Sequence, residues 1–277
     1  MTKIQFHKNL ECIYSAEERK TLYYIILQYL FDAPLSVALI KEMEGFTIEQ
    51  EQKLSHITER LVRNEPIQYI LGECLFRDIT WKVTPDVLIP RPETSELIDW
   101  ICEEHKEQEG KILDIGTGSG CIAISLKKEL PRFSVHASDI SEKALQIAKN
   151  NAKNLAIDIT FHCDDILNSQ LTNLENWDII VSNPPYIMNK EKVDMSVTVL
   201  NYEPHTALFV PDEDPLLFYR SIAQFGKEHL KKNGSLYFEI NGLLGNETIT
   251  LLKEMGYKDL MLKTDDYGKE RMVRCKK

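Results

Sequence analysis

Strand and helix patterns alternate along most of the chain, and this alternation constrains the fold more than any other feature. From Lys111 the order is KILDI, a helix through Leu130, SVHASD, a helix from Glu142 to Leu155, ITFHCD and WDIIVS. A helix from Leu216 to Leu230, the strand SLYFEI, the helix NETITLLKEM and two closing runs, YKDLMLK and ERMVRC, complete the series. We therefore expect a Rossmann-like α/β fold with a mostly parallel, seven-stranded sheet, whose last two strands are antiparallel neighbours.

The first part of the chain has a different pattern. From residue 17 to residue 64 the apolar spacing is helical, and Thr47 and Gln50 have the spacing of a capping box. The run ECLFRDITWKV that follows predicts a short β-hairpin, and Pro92 suits the first turn of the next helix. We predict an N-terminal helical domain (1–72), a hairpin linker (73–84) and an α/β domain (85–277).

Charge and cysteine content narrow the class of protein. The chain has 33 basic and 43 acidic residues, and its net charge of −10 disfavours an electrostatic grip on a nucleic-acid backbone. The six cysteines contain no C-x-x-C pair, which indicates free thiols. The N-terminus has no apolar signal region, and the apolar run from Thr21 to Phe31 is shorter than a membrane span. We expect a cytoplasmic protein with no membrane association and no stable nucleic-acid binding.

A glycine-rich turn follows the first strand of the α/β region. Gly116, Gly118 and Gly120 alternate with Thr117 and Ser119, which departs from the G-x-G-x-x-G spacing of dinucleotide sites. The preceding Asp114 adds a negative charge that repels phosphate and attracts an ammonium or sulfonium group. S-adenosylmethionine carries both of these cations and no phosphate, so the turn favours this cofactor.

Acidic residues end the next two strands. Asp139 lies near the spacing at which a carboxylate accepts both ribose hydroxyls of a nucleoside. Asp164 and Asp165 end the third strand, where they suit an adenine amino group. The alternative is structural, with a plain tight turn at the glycines and Asp139 as a helix cap.

The run Asn183-Pro184-Pro185-Tyr186 follows the buried strand WDIIVS, on the same edge of the sheet as the glycine turn. The two prolines fix the backbone and offer no N–H, so the loop presents acceptors. The Asn183 side-chain oxygen and the Pro184 carbonyl suit the two hydrogens of a planar amino group, with Tyr186 packed against that group. Such contacts aim the nitrogen lone pair at a methyl donor, and this chemistry requires neither a nucleophilic side chain of the protein nor a metal.

With these motifs in place, nearly the whole chain resembles the HemK-type release factor glutamine methyltransferases, class I S-adenosylmethionine-dependent enzymes with a small N-terminal helical domain. The resemblance is carried by PIQYILG (66–72), LIPRPET (88–94), the turn from Asp114 to Gly120, Asn183 to Tyr186, and YEPHTAL (202–208).

The resemblance implies a reaction and a set of site residues. The family methylates the side-chain amide nitrogen, N5, of the glutamine in the Gly-Gly-Gln motif of class 1 peptide release factors, and leaves S-adenosylhomocysteine. Gly116 to Gly120, Asp139, Asp165 with Ile166, and Asn183 are then expected to contact the cofactor. Asn183 to Tyr186 are expected to hold the glutamine amide, and the helical domain to recognise the release factor.

Three alternatives stay open at this point. The same chemistry serves a glutamine of a ribosomal protein, or the amino group of adenine or cytosine in a flipped base. A third alternative is a cofactor sensor without catalysis. Departures from the family pattern, such as Glu239-Ile240-Asn241-Gly242 and Ile166, are expected to lie away from the chemistry. Arg91 and Glu93 either orient the cofactor or, more commonly for such residues, form surface ion pairs.

Overall fold

The computed structural model describes residues 1–171 and 176–277. The helices of the described residues are α1 (Lys3–Asn9), α2 (Ala16–Phe31), α3 (Leu35–Glu44), α4 (Ile48–Val62), α5 (Ile67–Leu71), α6 (Pro92–His105), α7 (Cys121–Glu129), α8 (Glu142–Asn154), α9 (Val197–Tyr202), α10 (His205–Leu208), α11 (Leu217–His229) and α12 (Gly245–Glu254). No single described helix is both long and apolar enough to cross a membrane.

The strands are β1 (Glu73–Phe76), β2 (Ile79–Lys82), β3 (Gly110–Ile115), β4 (Phe133–Asp139), β5 (Thr160–Cys163), β6 (Trp177–Ser182), β7 (Ile187–Met188), β8 (Phe209–Val210), β9 (Leu230–Glu239), β10 (Lys258–Thr264) and β11 (Glu270–Lys276). Seven of them form one sheet in the order β10-β11-β9-β6-β3-β4-β5. Strands β5, β4, β3, β6 and β9 are parallel, and β11 runs antiparallel to both β9 and β10. This confirms the predicted sheet and its antiparallel end.

The chain forms two compact units. One comprises Met1–Glu73 together with Ser196–Tyr202, and the other comprises Cys74–Met195 and Glu203–Lys277. No residue pattern indicated that Ser196–Tyr202 belongs to the same unit as the N-terminal helices. The three domain boundaries drawn from the sequence stay a prediction.

The first unit is a helical body with an apolar core. Phe6, Tyr23, Leu27 and Leu54 are fully buried there and pack in one hydrophobic cluster. Capping boxes begin α1, α2 and α4, and in α4 Thr47 and Gln50 exchange side-chain and backbone hydrogen bonds as predicted. Each box satisfies two N–H groups at a helix start, so local sequence fixes where these helices begin.

The second unit is built around the seven-stranded sheet. Its central strand β6 is almost entirely buried, as expected for a parallel strand covered on both faces. The two-residue connection Arg77-Asp78, with φ of +50° and +57°, joins β1 to β2 in the predicted hairpin. Buried Asn151 of α8 bonds to both the N–H and the carbonyl of Lys82 and to the carbonyl of Ser119, and thereby fixes the hairpin beside the glycine turn.

Candidate active site

A cavity of about 400 Å³ lies at the carboxyl ends of β3, β4, β5 and β6. Parallel strands bring their carboxyl ends to one edge of the sheet, and ligands of open α/β sheets bind there. The glycine turn, the acidic strand ends, part of the loop after β6 and the segment from Pro204 to Phe209 all contribute to its wall. The structure thus brings together motifs that are up to about 90 residues apart in sequence.

Four of the five N–H groups in the turn Gly116–Gly120 donate within the protein. The N–H groups of Gly116 and Thr117 donate to the Ser138 carbonyl, and that of Gly120 donates to the Thr117 carbonyl. The Gly118 N–H donates to the carboxylate of Asp139 across 2.9 Å. A phosphate-binding turn directs several free N–H groups at its ligand. The bonding of this turn therefore argues against a dinucleotide and agrees with the spacing of its glycines.

The three glycines of the turn all have positive φ angles, but they have different structural roles. Gly116 and Gly118 line the cavity, with φ of +74° and +54° and no heavy atom within 4 Å of a Cβ built on either of them. A Cβ on Gly120 would lie 2.9 Å from Ile124 and 3.1 Å from Ala148. Gly120 is thus required for the packing of α7 against α8, and it does not line the cavity.

Asp114 occupies a different place from the one expected. Its side chain is fully buried and does not line the cavity. One carboxylate oxygen accepts from the Thr117 hydroxyl at 2.7 Å and from the Ala123 N–H at 3.2 Å. Burial raises the pKa of Asp114 to about 7. The residue therefore holds the glycine turn from the protein interior, and its contact with a cofactor cation stays a prediction.

Asp139 lies where the sequence placed it, at the end of β4 in the cavity wall. Its two oxygens accept from the backbone N–H groups of Gly118 and Ser141, each at 2.9 Å. Burial nevertheless raises the pKa of this carboxyl above its ordinary value. These two bonds fix the carboxylate beside the glycine turn and leave lone pairs for a ligand hydroxyl.

The loop after β5 supplies a mixed polar and apolar wall. Asp164, Asp165 and Ile166 all line the cavity, as does the exposed side chain of Leu167. The Asp165 carboxylate caps the short 3-10 helix Ile166–Asn168 by accepting from the Leu167 N–H at 3.0 Å. Ile140, which follows the end of β4, is also exposed and lines the cavity, so it and Leu167 offer apolar surface that suits a flat aromatic ring.

The loop after β6 divides between the cavity and the protein interior. Asn183 and Pro185 line the cavity, whereas Pro184 is buried and Tyr186 does not reach the wall. The Tyr186 hydroxyl donates to Glu239 at 3.1 Å, and burial raises its pKa well above the ordinary range. Tyr186 was expected to pack against the substrate, but its ring packs partly buried against the hydrophobic core.

Two residues that the sequence analysis did not select hold this loop. The Thr94 hydroxyl donates to the Glu239 carboxylate at 2.6 Å and accepts from the Asn183 amide at 3.3 Å. Both Thr94 and Glu239 are at least 97% buried. The register of β6 and β9 pairs Ser182 with Phe238, so the next residues, Asn183 and Glu239, lie side by side. The feature of the sequence that could have identified Glu239 is its place as an acidic residue at the end of the strand SLYFE.

Asn241 is a second unexpected contact with the same loop. Its side-chain N–H groups donate to the Tyr186 carbonyl at 3.0 Å and to Glu191 at 2.9 Å. This position departs from the family pattern and was expected to lie away from the chemistry. The structure places it against the end of the proposed substrate loop.

Charged side chains in the cavity wall are mostly acidic. Four aspartates line it, and Arg91 is the one basic side chain among the described lining residues. Arg91 forms an ion pair with Glu203, whose carboxylate is buried and does not lie at the surface. Among the described residues, no three His, Cys, Asp or Glu side chains are grouped to hold a metal ion.

Comparison with known proteins gives two family matches. Residues 94–203 match the family "Methyltransferase small domain", and residues 5–72 match the family "PrmC N-terminal domain". The chain is 46% identical to the release factor glutamine methyltransferase of Flavobacterium psychrophilum, over 98% of this chain and 96% of the relative. It is 45% identical to that of Bacteroides thetaiotaomicron, over 96% of this chain and 95% of the relative.

Among solved structures, a methyltransferase from Pyrococcus furiosus superposes with a TM-score of 0.54 at 16% identity, covering 80% of this chain and 98% of that one. At this identity the similarity concerns the fold alone.

Proposed function

The chain belongs to the release factor glutamine methyltransferase family, and we propose that its cavity holds S-adenosylmethionine while Asn183 and its loop hold the amide of the target glutamine. The enzyme is a protein methyltransferase that acts on a glutamine of a release factor. One observation carries the site assignment, because Asn183 lies in the wall of the same cavity as the glycine turn.

The charge of the cavity supports the cofactor. S-adenosylmethionine combines a sulfonium, an ammonium and a carboxylate, so a wall with four aspartates and one arginine complements it. The occupied N–H groups of the glycine turn leave little for a phosphate to bind. When bound, this cofactor supplies an electrophilic methyl group on its sulfonium.

The roles of the individual cofactor residues follow from their positions. Asp139 has free lone pairs beside the turn and suits the ribose hydroxyls, while Asp165 suits the adenine amino group at the end of β5. Ile140, Ile166 and Leu167 offer apolar surface to the adenine ring. Arg91, as the basic residue of the wall, suits the carboxylate of the amino-acid end.

The substrate side needs hydrogen-bond acceptors. An amide nitrogen is a poor nucleophile because its lone pair is delocalised into the carbonyl. The Asn183 side-chain oxygen and the Pro184 carbonyl accept the two N–H groups of the glutamine amide and orient its nitrogen toward the methyl group. The bond between the cofactor's sulfur and its methyl carbon would break as the N–C bond forms, with S-adenosylhomocysteine as the leaving group. One N–H proton would pass to solvent, which leaves a neutral methylated amide.

A substrate panel tests the proposal. Purified enzyme and radiolabelled S-adenosylmethionine are incubated with a class 1 release factor, with the same factor carrying alanine in place of the Gly-Gly-Gln glutamine, with a ribosomal protein mixture and with DNA. Label on the unaltered factor alone is the expected result. Label on the ribosomal mixture or on DNA would contradict the substrate, and no label with intact cofactor binding would indicate a sensor.

A further inference from the structure

We propose that Glu239 and Thr94 are positioning residues that fix the orientation of the Asn183 side-chain amide, so that Oδ1 rather than Nδ2 faces the substrate. This inference rests on the proposed function, because it concerns the acceptor that holds the glutamine amide. It assigns a task to two residues that lie one contact away from the reacting atoms.

Glu239 in its ionised form can only accept hydrogen bonds. Its side chain is 1% exposed, so water cannot replace a missing protein donor at low cost. Thr94 supplies one donor at 2.6 Å, and Tyr186 supplies the other at 3.1 Å. Both hydroxyl protons are therefore committed to Glu239.

The hydroxyl of Thr94 has one proton to donate and two lone pairs that can accept. Because the proton points to Glu239, the Thr94 oxygen can only accept from its other neighbour. The neighbour is the Asn183 amide at 3.3 Å, which must then present its N–H₂ side. An inverted amide would place two oxygens against each other with no proton between them.

The nitrogen and the oxygen of a side-chain amide point to different sides of the group. With Nδ2 turned to Thr94, Oδ1 lies on the other side of the group, and within the described residues no group donates to it. Asn183 lines the cavity, so this oxygen is the acceptor that the substrate N–H requires. A free asparagine lacks this bias, since its two orientations are close in energy until a neighbour distinguishes them.

Glu239 also fixes the far end of the loop through Tyr186, so one buried carboxylate controls both ends of the four-residue motif. Burial raises the pKa of this carboxyl, with Glu93 acting in the same direction, while the Thr94 and Tyr186 hydrogen bonds and Arg271 favour its charged form. While Glu239 is charged, both hydroxyls donate to it and the Asn183 amide keeps its orientation.

The test uses two substitutions at Thr94 with equal or smaller volume. Thr94→Val removes the hydroxyl and keeps the shape, whereas Thr94→Ser keeps the hydroxyl. Thr248→Val is the matched control, because it removes a buried hydroxyl that donates to the Leu244 carbonyl away from the loop. The rate constant kcat, the KM for the release factor and the calorimetric Kd for the cofactor are measured for each.

We expect Thr94→Val to lower kcat by about tenfold, the usual effect of losing one hydrogen bond of this kind. Thr94→Ser and Thr248→Val should stay close to wild type, and the cofactor Kd should not follow kcat. In an Asn183→Ala background, Thr94→Val should change kcat by less than about twofold, because Thr94 acts through Asn183. Additive losses, or a Thr94→Val enzyme with normal kcat, would contradict the inference.

A second readout needs no release factor, so it separates this inference from the proposed function. The side-chain amide resonances of Asn183 are identified in isotope-labelled protein by their loss in Asn183→Ala. They should shift in Thr94→Val and hold their position in Thr248→Val. Unchanged resonances would overturn the hydrogen-bond argument, whereas an inactive wild type with shifted resonances would overturn only the substrate.

Discussion

The guanidinium of Arg91 pairs with the carboxylate of Glu203 across 112 positions of sequence, with Nη2 2.6 Å and 2.8 Å from the two oxygens. The Glu203 side chain is 2% exposed and that of Arg91 is 32% exposed. Arg91 immediately precedes α6, and Glu203 precedes Pro204, which also lines the cavity. The ion pair therefore joins two stretches of chain that both line the cavity.

Loss of this pair should destabilise the second unit. Arg91→Ala leaves a buried carboxylate without its cation, which typically costs about 3 kcal/mol in the free energy of unfolding. The exposed pair Arg220–Asp214 provides the control, and Arg220→Ala should cost less than about 1 kcal/mol. All three tryptophans lie in this unit, so denaturation followed by tryptophan fluorescence reports on it. Equal losses in both variants would contradict the prediction.

Asn183→Ala should separate chemistry from cofactor binding. Removing an acceptor that strengthens in the transition state costs on the order of 3 kcal/mol, or about a hundredfold in kcat. Calorimetric affinity for S-adenosylmethionine should stay nearly unchanged, because the other wall residues remain. Asn150→Ala, on the exposed face of α8, is the control. Normal turnover in Asn183→Ala would rule out the proposed mechanism.

Gly118→Val should block cofactor binding. The position has φ of +54° and lines the cavity, so a side chain there both strains the backbone and enters the ligand space. Gly45, with φ of +101°, ψ of 163° and no neighbour within 4 Å of its Cβ position, is strained at least as much by a side chain but lies at the end of α3, away from the cavity. Calorimetry should find no binding for Gly118→Val and normal binding for Gly45→Val. Retained binding in the former would place the cofactor elsewhere.

Asp114 should make stability depend on pH. Its carboxyl titrates near 3.8 in the unfolded chain, and burial raises its pKa to about 7 in the fold. Between these values the folded protein binds more protons than the unfolded chain, so this group lowers the free energy of unfolding as pH rises. Asp114→Asn should flatten that decline in denaturation series from pH 4 to pH 8. Parallel curves for the variant and the wild type would show that Asp114 does not titrate there.

The sequence predicted those parts of the molecule that depend on local pattern. The alternation of strand and helix patterns after Lys111 predicts the parallel sheet, and the capping residues Thr47 and Gln50 predict where α4 begins. The glycine turn, Asp139 and Asn183 could be assigned to one cavity because parallel strands share an edge.

The remaining features depend on which strands are neighbours. Glu239 meets the loop after β6 only because β9 lies beside β6, and Thr94 joins them from the first turn of α6. Asp114 looked like a ligand contact in the sequence, yet the α7 backbone bonded to it encloses its carboxyl. Burial of a charge is a property of the packed fold, and a residue pattern alone did not reveal it.

The most direct measurement is mass spectrometry of the Gly-Gly-Gln peptide from a release factor incubated with S-adenosylmethionine and either wild-type enzyme or Asn183→Ala. If Asn183 holds the glutamine amide as proposed, the wild type adds one methyl group to the glutamine side chain, and the variant adds almost none in the same time. A methyl group on another residue, or equal methylation of the glutamine by both enzymes, would contradict it.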